Sequence, residues 1–121
     1  MLYLFHVCRN DSLQEIVKLN VGGRFFMTSV HTLSRIPDTM LATLVSGRFP
    51  PVPRQPDGSI FIDRDGTHFR YIVNYLRGER GVESLPDGEL ELTQLMKEAK
   101  YYRITGLVNI IRIKLDLPNS G

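Results

Sequence analysis

The sequence predicts an α+β fold: a small, mainly three-stranded sheet covered by about five helices. Two observations carry that expectation. Apolar residues alternate with polar ones at Val17, Leu19 and Val21 and form an unbroken triplet at Ile60–Ile62, the two signatures of strands. Elsewhere they recur at i, i+3, i+4 and i+7 in short stripes, the signature of helices with one buried side. The order is strand, strand, helix, helix, strand, then helices, which places helices against a sheet. With 121 residues, 42% of them hydrophobic, there is material for one modest core.

Residues 1–14 read as an N-terminal extension, 15–115 as the domain and 116–121 as a tail. The apolar run Leu2–Val7 is too short to span a bilayer and lacks the basic flank of a secretion signal; it reads equally as a remnant foreign to the natural chain, an edge strand or a docking segment. Val17–Val21 is a half-buried strand, Gly22-Gly23 a tight hairpin turn and Arg24–Thr28 the returning strand. Ser29 is placed to cap a short helix carrying Val30 and Leu33, which Pro37 stops. Asp38 is expected to cap a second helix, Thr39–Ser46, burying Met40, Leu41, Leu44 and Val45 and closed by Gly47. Four prolines between Pro50 and Pro56 make 48–59 a surface loop. Ile60–Ile62 reads as a strand buried on both faces. The stripe Phe69, Ile72, Val73, Leu76 then marks a helix ending at Gly78. After a polar connection with a turn at Pro86-Asp87-Gly88, Leu92, Leu95, Met96 and Ala99 form a further stripe, with Lys97, Glu98 and Lys100 expected to face water. Thr105 is expected to cap a last helix in which Leu107, Ile110 and Ile111 share a face.

The chemistry-bearing residues converge on little. The 15 basic and 13 acidic side chains are spread along the chain with no basic block, so no nucleic-acid footprint is indicated. One cysteine, Cys8, excludes an internal disulfide and suits a reducing, intracellular (cytoplasmic) compartment. His6 and Cys8 are half a zinc spacing without a second pair, and Asn10-Asp11-Ser12 is a glycosylation sequon without a secretion signal. Gly22-Gly23 lacks the flanking residues of a phosphate loop. Asp63, Asp65 and His68 at the corner after Ile62 are too few for a metal, with Arg64 among them; Asp65 or Thr67 is expected instead to cap the following helix. No nucleophile elbow occurs. Catalytic residues, metal ligands and cofactors are therefore all expected to be absent, which leaves the charged corner and the Tyr71, Asn74, Tyr75, Arg77 side of a helix as either solvated faces or surfaces for other proteins.

These residues also carry a family resemblance. Val17-Lys18-Leu19-Asn20-Val21-Gly22-Gly23-Arg24-Phe25-Phe26, Thr32-Leu33, Pro37-Asp38-Thr39-Met40-Leu41, Ser46-Gly47-Arg48 and Phe61-Ile62-Asp63-Arg64-Asp65-Gly66 resemble the BTB/POZ domain of the potassium-channel tetramerisation type. Phe69, Asn74-Tyr75-Leu76-Arg77 and Glu98-Ala99-Lys100-Tyr101-Tyr102 continue the match, which covers about Glu15 to Leu115 and looks most like the KCTD proteins. The resemblance implies a homo-oligomeric ring, a tetramer or pentamer, built through polar side-to-side contacts, with Asn20, Arg24, Asp63, Arg64, Asp65, Asn74, Tyr75 and Arg77 at or behind the interface. It implies either an adaptor for a cullin ubiquitin ligase, an auxiliary scaffold of a membrane receptor, or the cytoplasmic assembly domain of a voltage-gated channel. A cullin contact would use Leu41, Val45, Arg48 and Phe49. Many relatives carry phenylalanine where this chain has Val45, which removes a large apolar anchor, and the cysteine/histidine pattern of many channel versions is absent. No nucleic-acid partner and no direct membrane insertion are implied. The contrasting class is a monomeric enzyme or small-molecule binder, which would need converging titratable groups that the sequence does not offer.

Overall fold

A computed structural model of the chain describes residues 15–47 and 52–117. Strands β1 (Ile16–Val21) and β2 (Arg24–Ser29) pair antiparallel, and β3 (Ile60–Ile62) joins the other side of β1 in parallel, giving the mixed order β2-β1-β3. Among the described residues five helices complete the α+β fold: α1 (Val30–Ser34), α2 (Met40–Leu44), α3 (Phe69–Arg77), α4 (Glu89–Tyr101) and α5 (Thr105–Asp116). A 3-10 turn, Val82–Ser84, precedes α4.

The hairpin turn is made where expected. Gly22 and Gly23 have φ of 59° and 100°, the left-handed values that a two-residue hairpin of type I′ requires at both positions. Ser29 caps α1, its hydroxyl accepting from the Thr32 N–H at 3.1 Å. The next cap differs from expectation: Thr39, not Asp38, caps α2, and the helix is only Met40–Leu44. Thr39 is fully buried, accepting from the Ala42 N–H and donating to the Ile36 carbonyl. A hydroxyl satisfies both groups there, whereas a carboxylate would be buried without a countercharge. Thr105 is likewise the first residue of α5 rather than its cap, which is Ile104. Helix α3 ends at Gly78, with φ of 117°.

One core joins Val17, Leu19, Val21, Ile60 and Ile62 of the sheet to Leu33, Leu41, Phe69, Ile72, Leu76, Leu95, Leu107 and Ile111 of the helices. Phe69 lies at its centre, 5.0 Å from the Phe26 ring and 5.4 Å, edge-on, from Tyr102. All four residues of the expected α3 stripe are buried; in α5, Val108 takes the buried place expected for Ile110. Two expectations fail here. Ile60–Ile62 is buried on one face only, since Phe61 points away from the core. Glu98 does not face water but is buried on α4. The readings for Leu2–Val7, His6, Cys8, Asn10, Arg48, Phe49, Pro50, Pro51 and the last four residues lie outside the described residues.

Tyr102 is fully buried, and its hydroxyl has no hydrogen-bond partner among the described residues; burial pushes its ionisation well above the usual phenol range. An unsatisfied buried hydroxyl opposes folding by about 1–3 kcal/mol, against which its removal leaves only a small void. Tyr102→Phe is therefore expected to match or exceed the parent in stability, by up to ~1 kcal/mol. A melting curve followed by circular dichroism checks this, and a loss above about 1 kcal/mol would contradict the assignment.

Candidate functional site

The corner 63–68 is fixed by close packing against the hairpin turn. A Cβ on Gly22 would fall 2.2 Å from the Arg64 carbonyl oxygen, and one on Gly66 would fall 2.4 Å from the Val21 carbonyl oxygen. Each glycine thus lets one backbone segment lie on the other, while the Gly22 N–H donates to the Ile62 carbonyl at 3.0 Å. Asn20 completes the turn, its Oδ1 accepting from the Gly23 N–H at 2.8 Å.

Four charged residues leave this corner in different states. Arg64 reaches inward: Nε and Nη2 bind the two Glu98 carboxylate oxygens at 3.1 and 2.9 Å, and its guanidinium lies 4.0 Å from the Tyr101 ring centroid. The side chains are only 27% and 10% exposed. Arg64 is thus a strut between corner and α4, and Glu98 is the functional partner that the sequence reading missed. Asp65 accepts from the Thr67 N–H at 2.9 Å and from its hydroxyl at 2.6 Å. This turn replaces the expected helix cap, and α3 starts at Phe69 with no side-chain cap. Arg24 is exposed at the start of β2; its charge helps hold Asp65 ionised, although the Thr67 bonds dominate. Asp63 is exposed and has no hydrogen bond or ion pair among the described residues.

The other end of α3 meets the outer edge of β2. Arg77 donates through Nη2 to the Met27 carbonyl at 2.9 Å and through Nη1 to Asn74 Oδ1 at 3.1 Å, while its own carbonyl accepts from Arg35 at 3.4 Å. Arg77 therefore satisfies a backbone group that an edge strand would otherwise leave open. Tyr75 lies on the buried side of the helix, its ring 4.8 Å beneath the Arg80 guanidinium. It can support a surface but not form one.

Between these two ends lies the feature that the residue-by-residue reading did not find. In the register of the sheet, Phe25 and Phe61 flank Asn20, and Met27 faces Lys18, on the side opposite the core. Ile16, Phe25, Met27 and Phe61 are 58%, 54%, 60% and 45% exposed. Four large apolar side chains thus share one outer sheet face, with Lys18 and Asn20 of β1 between them, Asp63 following Phe61 at the turn end and Arg77 holding the β2 edge; Arg24, opposite Val21, has the phase of the inner face and packs beside Gly66. The signal in the sequence was apolar residues at both phases of short strands, Phe25-Phe26-Met27 and Ile60-Phe61-Ile62.

The expected cullin contacts fare differently. Leu41 is fully buried in the core and has no surface to offer, a correction to its expected role; it belongs to the inward side of a five-residue helix. Val45 is the half-buried C-cap of α2. Among the described residues no three His, Cys, Asp or Glu side chains group as a metal would require, and no helix is long and apolar enough to cross a membrane.

Two predictions follow from the corner. Arg64→Ala leaves the Glu98 carboxylate buried without its partner and is expected to cost about 2–3 kcal/mol, at the low end for buried pairs because Arg64 is partly solvated. Arg64→Met with Glu98→Leu should recover most of that loss in a urea titration. The Thr67 hydroxyl and N–H hold the Asp65 carboxyl below its ordinary range, so the turn's contribution is complete at neutral pH and is lost as pH falls through that lowered value. Titrating the carboxyl carbon shifts should show Asp65 ionising below the usual range, and Thr67→Val should move it back up.

Comparison with known proteins agrees with this architecture. The BTB/POZ domain family matches residues 17–111. The chain is 48% identical over 102 residues to the human BTB/POZ domain-containing adapter for CUL3-mediated RhoA degradation protein 2, covering 84% of this chain and 31% of that protein. It is 42% identical over 104 residues to the Arabidopsis thaliana FH protein interacting protein FIP2, covering 85% and 34%, and 39% identical over 102 residues to human BTB/POZ domain-containing protein KCTD21, covering 84% and 38%. The matched part is therefore roughly a third of each of these relatives. On a matched stretch that takes in the sheet from Val17 on, the corner, the first four helices and the first half of α5, the chain belongs to the BTB/POZ family of the potassium-channel tetramerisation type, with KCTD proteins among its relatives.

Proposed function

We propose that this chain is a non-catalytic interaction module, residues 15–115, that assembles with copies of itself into an intracellular ring of four or five. The observation that carries this reading is the outer sheet face, where Ile16, Phe25, Met27 and Phe61 are exposed together. Burying such side chains is worth about 1.5–3 kcal/mol each at full burial, and exposed apolar groups gathered on one face mark an interaction site. The border supplies specificity: Asp63, without a hydrogen bond or ion pair among the described residues, is positioned to meet a cation of the adjacent copy, with Arg24 at the hairpin turn and Asn74 and Arg77 at the β2 edge. Contacts between unlike surfaces of successive copies close into a ring when the rotation allows.

Such a ring serves as an adaptor. The likeness to a protein named for CUL3-mediated degradation supports a cullin as partner. A scaffold role on a membrane receptor is the second reading, favoured by Val45, which is half-buried and lacks the bulk of an aromatic anchor.

Sedimentation equilibrium is expected to give four or five chain masses. Phe25→Asp and Asp63→Arg should each raise the dissociation constant, by about 2–4 kcal/mol of lost association energy. The fold of each variant should be unchanged, since both positions are exposed. A single chain mass at 100-fold micromolar dilution and at high concentration alike, or no effect of either substitution, would overturn the reading. Co-migration with a CUL3 N-terminal domain separates adaptor from scaffold.

A further inference from the structure

We propose that the N-terminal run Leu2–Val7 docks on the outer sheet face of its own chain and competes there with a second copy, so that it regulates self-association. This rests on the self-association reading above and concerns the same surface.

Seven of the first eight residues, His6 excepted, are apolar, and no Lys, Arg, Asp or Glu side chain precedes Arg9. No element of the described fold leaves a place for them in the core, whose inner sheet face is already packed by helices. Among the described residues the outer face is the one sheet surface left open, and around Lys18 and Asn20 it offers apolar groups like those of the run: Phe25, Phe61, Met27 and Ile16 against Leu2, Tyr3, Leu4, Phe5 and Val7.

Reach and entry point agree with this. The chain enters β1 at Ile16, whose side chain lies on that same face. Eight residues, Cys8 to Glu15, connect the run to it. Extended, they span about 26–29 Å, whereas three strands are only about 10 Å across. An attached segment of this length acts at an effective concentration of order millimolar, so even weak docking competes with a second copy at micromolar protein. The same residues that would be shielded in the lone chain are those proposed to be covered in the ring.

Cys8, the single cysteine of the chain, adjoins the run and allows a direct test. A nitroxide on Cys8 of the full chain should broaden the amide signals of Ile16, Lys18, Phe25 and Phe61 far more than those of α5. A mixture of isotope-labelled, nitroxide-free chains with nitroxide-bearing unlabelled chains should not reproduce the effect, and Leu4→Asp with Phe5→Asp should abolish it. The same double substitution should tighten self-association about tenfold, or ~1.4 kcal/mol, in sedimentation equilibrium. Uniform broadening, or equal broadening in the mixture, overturns the proposal, as does an unchanged or weakened association in the doubly substituted chain. Failure of the ring reading is distinguishable: neither protein would then associate, while selective broadening within one chain would still establish the docking.

Discussion

A sheet has two faces, and the helices described here cover one. Val17, Leu19, Val21, Ile60 and Ile62 meet the helical core, and the alternation of a strand then forces the intervening residues outward. Where those residues are polar, as at Lys18 and Asn20, water is an adequate neighbour. Where they are Phe25, Met27 and Phe61 it is not, and the protomer carries an apolar surface that its own described helices do not shield. The rest of the surface architecture follows from how that face is framed.

The frame is rigid for reasons that can be named. At one end, two glycines allow the hairpin turn and the 63–66 corner to lie backbone on backbone, and Arg64 ties the corner to α4 through Glu98 and Tyr101. At the other, Arg77 holds the β2 edge through the Met27 carbonyl. Positions that look alike in sequence therefore do unlike work. Arg64 and Arg77 use their donors inside the protomer, while Asp63 and Arg24 make no hydrogen bond or ion pair among the described residues. Charges held by stiff backbone keep their places before any partner arrives, which lowers the ordering cost of association.

Much of the fold was legible because it depends on local chemistry. Alternation set β1, paired glycines set the turn, the stripe from Phe69 to Leu76 set α3, and Ser29 set the start of α1. Errors came where burial, not local preference, made the choice. Thr39 displaced Asp38 as a cap because the site is dry. Asp65 turned to Thr67 instead of capping α3. Glu98 looked like a solvent residue because its partner lies 34 positions away. Leu41 was assigned to a surface that a five-residue helix turns inward.

The sequence by itself determined the class of fold, the order of its elements, the family and the residues crowded at the corner, since each of these is written in periodicity or in short motifs. Only the tertiary structure decided which charges are internal struts and which have no partner among the described residues, because that depends on contacts between residues far apart in the chain. It also decided that Phe25, Met27 and Phe61 share one uncovered side. An apolar residue in a strand shows its phase, but whether anything packs on that phase is a property of the whole fold.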